Sequence, residues 1–209
     1  MSVPAITIPP MSSAVIRYHQ GMGRWAPGSR GRLEQAALAL YSERGFESTT
    51  VAEIAAHAGV TERTFFRYFA DKREVLFSGA DSMQELLVTS VASAPDSRAP
   101  IDMVVAAFEA AGALLQERRE FARQRNAVIA ANTGLREREL IKLAALGSAV
   151  AAALRQRGVA EPAASLAAEA GVAIFRVAFD RWVDDSNERE LPELIHRSLD
   201  ELKAVASGR

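Results

Sequence analysis

The sequence predicts an all-α protein in which an N-terminal head of three helices joins a C-terminal helical bundle, with about nine helices in total. The helix-forming residues Ala, Leu, Glu and Arg recur along the whole chain. No extended run alternates Val, Ile and Thr in the manner of a half-buried strand. The hydrophobic fraction, 49% of 209 residues, is sufficient for a packed core.

Composition excludes several classes of function. The chain contains no cysteine, which excludes a disulfide framework, thiol catalysis and thiolate metal sites. Its three histidines are scattered, and no two have the spacing of metal ligands on one helical face. No apolar run is long enough to cross a membrane, and the N-terminus lacks the pattern of a signal peptide. We therefore expect a cytoplasmic protein with no metal, no cofactor and no membrane partner.

Charge is distributed unevenly along a chain whose net charge is only −1. Four arginines and no acidic residue occur between Arg17 and Arg32, whereas the stretch after Asp180 is mainly acidic. Residues 1–29 are also rich in Pro, Gly and Ser and show no helical period, which predicts a flexible arm. A basic arm on a near-neutral protein is compatible with phosphate contact.

Helix start and stop signals define the head, residues 30–76. Its first helix is predicted from Arg30 to Arg44, because Gly45 supplies the left-handed residue that ends a helix. Thr50 and Glu53 form a capping box that opens a short second helix. Thr61 is a good N-cap for a third helix.

The body, residues 77–209, is predicted to consist of longer helices. Asp71 and Glu74 form a second capping box, which predicts one long helix from residue 71 to residue 93 that connects the head to the body. Pro95 and Pro100 mark the loop that follows. Five further helices are predicted at Ile101–Glu117, Arg119–Ala131, Leu135–Arg157, Pro162–Asp184 and Glu190–Ala206.

The second and third helices of the head form a predicted helix-turn-helix. They are joined by Ala58-Gly59-Val60, the tight glycine-containing turn that this motif requires. Phe65 and Phe69 are four residues apart on the third helix and must both face the core. Arg63 and Arg67 then project from the opposite side, as expected for a recognition helix.

The exposed face of this third helix carries the functional hypothesis. An arginine can bind guanine O6 and N7 through two hydrogen bonds, a threonine can bond a base edge, and an exposed aromatic ring can pack on a thymine methyl group. N–H groups at the two capped helix starts, with Tyr68 and Lys72, are placed for phosphate contacts. The predicted contacts with double-stranded DNA are Thr50, Thr61, Arg63, Thr64, Phe66, Arg67, Tyr68 and Lys72.

The stretch from Arg30 to Leu76 resembles the DNA-binding head of the TetR family of transcriptional regulators. The resemblance is carried by the segment RGFESTTVAEIAAHAGVTERTFFRYFADKREVL. Two positions depart from the family pattern: Phe65-Phe66 stands where a leucine–tyrosine pair is common, and Tyr68 stands where a histidine is frequent. The first departure removes a hydroxyl group at Phe66. The rest of the chain matches the family only in its length and helical character.

The resemblance implies a homodimeric regulator, specifically a repressor that a small hydrophobic effector releases from a palindromic operator. The effector would tilt the connecting helix and change the separation of the two recognition helices. Its predicted pocket is lined by Phe108, Leu115, Phe121, Arg125, Asn126, Ile129, Phe175 and Phe179. Apolar stripes on the last two helices predict a dimer interface that includes Ile174, Ala178, Ile195 and Leu199. Each aromatic residue is also compatible with plain core packing, and each stripe with burial inside one subunit.

Two other classes of function remain open from the sequence. A helical-bundle enzyme would require convergent catalytic or metal-binding groups, and the sequence has no paired Glu-x-x-His ligand set, nucleophile elbow or phosphate loop. We therefore expect that the protein is not an enzyme. A protein-binding adaptor without specific DNA readout would lack the salt-sensitive binding to duplex DNA that a regulator shows.

Overall fold

The computed structural model describes residues 28–184 and 186–208. Over these residues the chain forms nine α-helices and one 3-10 helix, and no strand, which confirms the predicted all-α class. The head contains α1 (Ser29–Arg44), α2 (Val51–His57) and α3 (Glu62–Tyr68), and the 3-10 helix Glu74–Phe77 follows it. The body contains α4 (Ala80–Ala92), α5 (Pro100–Gln116), α6 (Arg119–Ala130), α7 (Thr133–Gln156), α8 (Ala163–Trp182) and α9 (Leu191–Ala206). The predicted arm, residues 1–29, lies almost entirely outside the described residues.

Local signals account for the three helices of the head. α1 ends at Gly45, whose φ of 84° lies in the left-handed region that favours a residue without a Cβ. Thr50 and Glu53 form the predicted capping box at the start of α2. The buried face of α1, which includes Leu33 and Tyr41, packs against α2 and α3.

The prediction of one long connecting helix from residue 71 to residue 93 is wrong. The carboxylate of Asp71 accepts hydrogen bonds from the N–H groups of residues 73 and 74, but only the 3-10 helix follows, and α4 begins at Ala80. Glu74 does not complete a capping box, because its carboxylate binds Arg138 and Lys142 of α7. The capping-box spacing is present in the sequence, but the Glu74 carboxylate forms its hydrogen bonds with α7 and not with the backbone at Asp71.

Two backbone carbonyl groups at this break also have partners from other elements. The O atom of Leu76 accepts a hydrogen bond from Nε of Arg125 in α6, at 2.6 Å. The O atom of Ser78 accepts a hydrogen bond from Nη2 of Arg30 in α1, also at 2.6 Å. A continuous helix would direct both carbonyl groups to N–H groups four residues later, so the two guanidinium groups stabilise the interruption.

The core of the body lies among α5, α8 and α9, with α4 packed on α5 and α7. Phe108 and Trp182 are fully buried there. α8 approaches α5 closely at Gly171, where an added Cβ would lie 2.3 Å from Cγ1 of Val104. The five predicted body helices are confirmed to within two residues at each end.

The core of the head includes side chains from the body. Val128 and Ile129 near the end of α6, and Leu135 at the start of α7, are buried in the same cluster as the apolar side chains of α1, α2 and α3. The turn between α6 and α7 is also tied to the head by Asn132, whose Nδ2 donates to a carboxylate oxygen of Glu47 at 2.9 Å. The head therefore rests on α6 and α7. No helix in the described part of the chain is long and apolar enough to span a membrane.

Candidate nucleic-acid interface

α2 and α3 form the predicted helix-turn-helix. The chain turns at Gly59, whose φ is 66°, and the N–H of Val60 donates to the carbonyl O of Ala55 at 2.9 Å. Ile54 and Ala55 are buried, and the small side chain of Ala55 permits close approach of the two helices. The turn thus has the geometry that the sequence predicted.

α3 presents a polar and aromatic face away from the core. Phe65 is fully buried and packs with the buried Phe69, with 5.4 Å between their ring centroids. On the opposite side Arg63 and Arg67 are exposed, and 55% of Phe66 is exposed. A shallow surface depression on this face is lined by Arg63, Thr64, Phe66 and Arg67. Two guanidinium groups and an aromatic ring are therefore available together on one accessible helix face.

Arg67 and Tyr68 contact each other on this surface. The guanidinium carbon of Arg67 lies 4.8 Å from the centroid of the Tyr68 ring, and Nη2 donates to the phenolic oxygen at 2.9 Å. The contact combines a cation–π interaction with a hydrogen bond. Because an arginine has five N–H donors and this bond uses one, the guanidinium group retains the capacity to bind a further acceptor.

Threonine caps hold the two short helices at their starts. Oγ1 of Thr50 accepts a hydrogen bond from the N–H of Glu53 at 3.2 Å, and the Glu53 carboxylate accepts one from the N–H of Thr50 at 2.8 Å. The hydrogen bonds from the backbone and then the hydroxyl group of Thr50 lower the pKa of Glu53 below its usual value. Oγ1 of Thr61 accepts a hydrogen bond from the N–H of Thr64 at 3.3 Å. These caps fix the residues at which α2 and α3 begin.

Lys72 is placed differently from its predicted role as a phosphate contact. Its Nζ donates to the carbonyl oxygens of Phe46 at 2.9 Å, Glu47 at 3.2 Å and Thr49 at 2.9 Å. The ammonium group also lies 4.4 Å from the centroid of the Phe46 ring. A lysine ammonium group has three donors, and these three bonds use all of them. In this structure Lys72 therefore closes the turn between α1 and α2.

Sequence reasoning missed two further supports of the head. Nε of Arg32 donates to the carbonyl O of Ala58 at 3.0 Å and so holds the turn of the helix-turn-helix from α1. The buried hydroxyl group of Tyr41 donates to the carbonyl O of Lys72 at 2.6 Å, and burial raises the pKa of Tyr41. Both bonds join residues more than twenty positions apart, where no local pattern indicates a contact.

The residues predicted to line an effector pocket are divided between the two cores. The members that pack in or against the core of the body are Phe108, Leu115, Phe175 and Phe179. Ile129 is buried in the core of the head, and Phe121 packs against it. Arg125 binds the junction between head and body, and Asn126 is half-buried on the same helix. The eight residues are thus not gathered in one core, because Phe121 and Ile129 of α6 pack with the head, whereas Ala122 on the same helix is buried in the core of the body.

The residues predicted for the dimer interface are buried inside the subunit, so that prediction is wrong. Ile174 and Leu199 are each 4% exposed, and Ala178 and Ile195 are fully buried. Their stripes face the core because α8 and α9 pack on each other and on α5. Large apolar side chains that are exposed on the same two helices are Leu166, Val177, Leu202 and Val205.

Comparison with known families matches the two parts of the chain separately. Residues 34–78 match the family described as bacterial regulatory proteins, tetR family, and residues 98–207 match the MftR C-terminal domain. The transcriptional regulator TcmR of Streptomyces glaucescens is 35% identical over 82 residues, which are 39% of this chain and 36% of TcmR. The matched segment thus spans little more than a third of that relative.

Solved structures share the fold over most of the chain. FadR, a TetR-family repressor of Thermus thermophilus in complex with lauroyl-CoA, has a TM-score of 0.51 and 24% identity over 83% of this chain and 93% of FadR. SmeT of Stenotrophomonas maltophilia, in complex with triclosan, has a TM-score of 0.59 and 20% identity over 85% of this chain and 90% of SmeT. These likenesses concern the fold alone. Because the matched family models cover the helix-turn-helix and most of the body, the chain belongs to the tetR family of bacterial regulatory proteins.

Proposed function

We propose that the protein is a cytoplasmic transcriptional repressor that binds operator DNA through α3 and leaves it when a small hydrophobic effector binds the body. The observation that carries this proposal is the exposed face of α3. Arg63, Phe66 and Arg67 project from it, while Phe65 and Phe69 anchor the opposite face in the core. An apolar rear face with a donor-rich front face suits a helix that enters the major groove.

Within the groove, base readout falls to the front face of α3. Arg63 and Arg67 bind guanine edges, and Phe66 packs on a thymine methyl group, because it is exposed and has no hydroxyl group. Thr64 supplies a hydroxyl group for a base edge. Contacts with the phosphate backbone come from Tyr68 and from the helix starts at Thr50 and Thr61, and they position the head without reading sequence. Lys72 is not included, because its donors close the turn between α1 and α2.

Two heads are needed for a palindromic operator, so the proposal includes a homodimer. The exposed stripe on α8, formed by Leu166, Ala173 and Val177, follows helical spacing, and Leu202 and Val205 extend the apolar surface on α9. We assign the interface to this surface. It takes the place of the buried residues named from the sequence, and it uses the same two helices.

The effector is proposed to enter the body beside a row of aromatic side chains. Phe108 stacks on Phe175 with 5.1 Å between ring centroids, Phe175 lies 5.8 Å from Phe179, and Phe179 lies 5.6 Å from Trp182. The half-buried Phe175 and Phe179 are the members placed to move aside for an apolar molecule. Triclosan, bound by SmeT, is a molecule of this chemical kind, and lauroyl-CoA, bound by FadR, carries an apolar acyl chain on a charged coenzyme A group.

Selection of DNA tests the first part of the proposal. The full-length protein is mixed with a pool of randomised duplexes, and the enriched duplex is compared with a scrambled one at several salt concentrations. We expect a palindromic sequence whose half-sites lie about one turn of duplex apart (~34 Å), with binding that weakens steeply as salt rises. Arg197→Ala, which removes an exposed arginine from α9, is the matched control and should bind like the wild type. Failure to enrich any sequence would favour a protein-binding adaptor.

A thermal-shift assay with lauroyl-CoA and with triclosan tests the second part. A compound present at a hundred times its dissociation constant should stabilise the protein by about 2.7 kcal/mol. It should also release the selected duplex, because the two affinities are reciprocally coupled. Phe175→Ala should abolish the thermal shift and leave DNA binding intact, because Phe175 lies in the body. A compound that stabilises the protein without any change in DNA affinity would contradict the effector role.

A further inference from the structure

We propose that a charged clamp between the 3-10 helix and helices α6 and α7 sets the orientation of the head, which makes Glu74, Arg138 and Lys142 positioning residues for DNA binding. The clamp is defined by these three residues together with Arg125 and Glu139. The inference rests on the proposed function, because its main consequence is measured on DNA. None of the five residues lies on the exposed face of α3.

The centre of the clamp is the carboxylate of Glu74. One oxygen accepts hydrogen bonds from Nε and Nη2 of Arg138, at 2.9 and 2.5 Å, and the other accepts one from Nζ of Lys142 at 3.2 Å. The side chain of Glu74 is only 20% exposed, and that of Lys142 is 28% exposed. Two cations from successive turns of α7 therefore hold one carboxylate of the 3-10 helix that directly follows the head.

Arg125 adds a second connection from α6. Its Nε donates to the carbonyl O of Leu76, and its Nη1 donates to the carboxylate of Glu139 in α7 at 2.9 Å. Its guanidinium carbon lies 5.1 Å from the centroid of the Phe77 ring, which is buried. One side chain thus joins α6, α7 and the 3-10 helix.

Apolar contacts also join the same two helices to the head. Val128, Ile129 and Leu135 are buried with the core of α1, α2 and α3. A displacement of α6 and α7 must therefore carry the head with it, because both charged and apolar contacts join them.

The direct connection along the chain is weaker. The 3-10 helix ends at Phe77 and α4 begins only at Ala80, so no continuous helix runs from the head into the body. α4 packs on α5 and α7. The head is therefore joined to the body mainly by the clamp on α6 and α7, and not by the one long connecting helix that the sequence predicted.

The clamp matters for a dimer that reads two half-sites. The relative orientation of the two heads decides which half-site spacing fits, and a head that rocks would accept a wider range of spacings at lower affinity for the best one. Loss of the clamp should therefore reduce discrimination between spacings. A merely structural role would reduce the fraction of active protein equally on every duplex and leave that discrimination unchanged.

The test measures dissociation constants on the duplex most enriched by the wild-type protein and on versions with one base pair inserted or removed at its centre. Glu74→Gln and Arg138→Gln each weaken the clamp with little change in shape. Glu120→Gln is the matched control, because Glu120 forms an exposed ion pair with Arg123 on α6. The melting temperature of each variant shows whether it is folded.

For each duplex of altered spacing, the dissociation constant is divided by that on the best duplex. For both clamp variants we expect this ratio to fall about two- to fivefold, the size typical of losing a partly exposed ion pair. The ratio for Glu120→Gln should equal that of the wild type. An unchanged ratio in both clamp variants, or a wild type without spacing preference, would overturn the clamp. If the wild type enriches no duplex, the proposed function fails, and hydrogen exchange then decides the clamp. Faster exchange at residues 74–77 in Glu74→Gln, with unchanged exchange in α8, supports it, and equal exchange at residues 74–77 refutes it.

Discussion

Lys72→Met separates the structural role of Lys72 from the phosphate contact that its position in the sequence indicated. The substitution keeps an unbranched apolar side chain and removes an ammonium group that donates to three carbonyl oxygens of the α1–α2 turn. Hydrogen bonds that involve a charged group contribute about 1.5–3 kcal/mol in net terms. Because Lys72 is only half-buried, we expect a loss near the middle of that range, about 2 kcal/mol.

For a chain of this length, 1 kcal/mol corresponds to about 2–4 °C in melting temperature, so the variant should melt about 4–8 °C lower. Calorimetry and urea titration measure the loss. Lys203→Met is the control, because Lys203 is exposed and pairs only at the surface with Asp102, and its cost should stay within about 0.5 kcal/mol.

DNA binding by the folded Lys72→Met protein provides the decisive comparison. The slope of log K against log salt should equal that of the wild type, because no phosphate contact is lost. If stability is unchanged and the slope becomes shallower by about 0.9, Lys72 binds one phosphate and the assignment to the turn is refuted.

Three further substitutions test the packing, the cap and the assignment of the interface. Gly171→Ala should lower the free energy of unfolding by about 1–3 kcal/mol, measured by urea denaturation, because the new methyl group would overlap α5; unchanged stability would contradict that close approach. Thr50→Ala should cost about 1 kcal/mol at neutral pH through the lost cap. Because the pKa of Glu53 is lowered, its carboxylate stabilises the folded state above the usual pKa of 4.5 and ceases to do so as pH falls through the lower folded value. The difference in free energy of unfolding between Thr50→Ala and wild type should therefore narrow in acid. A difference that stays constant with pH would contradict the capping box. Val177→Glu should give a folded monomer in sedimentation, whereas Ile174→Glu should unfold the protein; a folded dimer of Val177→Glu would contradict the interface.

The sequence was sufficient where structure is decided within one turn of helix. Gly45 ends α1, Thr50 and Thr61 cap α2 and α3, and the spacing of Phe65 and Phe69 defines the rear face of α3. Each of these features depends on residues at most four positions apart, so the pattern alone determines the outcome.

The sequence was insufficient where partners lie far apart in the chain. Glu74 has the spacing of a capping box with Asp71, yet it binds Arg138, 64 positions away, and the predicted long helix is interrupted. Ile174 and Val177 lie on one amphipathic helix, and periodicity alone does not decide which side faces the subunit's own core. Burial in three dimensions places Ile174 inside the subunit and leaves Val177 exposed.

The division of the predicted pocket residues between two cores has a related cause. Aromatic residues on α6 and α8 were grouped because both helices belong to the body, but the end of α6 packs against the head. No periodic signal distinguishes a helix that faces its own domain from one that supports its neighbour.

The base preference of Arg67→Ala tests the central claim most directly. The selected duplex is changed one base pair at a time, and the dissociation constant of each change is measured for wild type and variant at fixed salt. We expect the variant to lose about 1–3 kcal/mol on the best duplex and to become indifferent to the base at one position in each half-site, while preference elsewhere is kept. A variant that keeps the full wild-type preference at every position would show that Arg67 on α3 does not read the DNA bases.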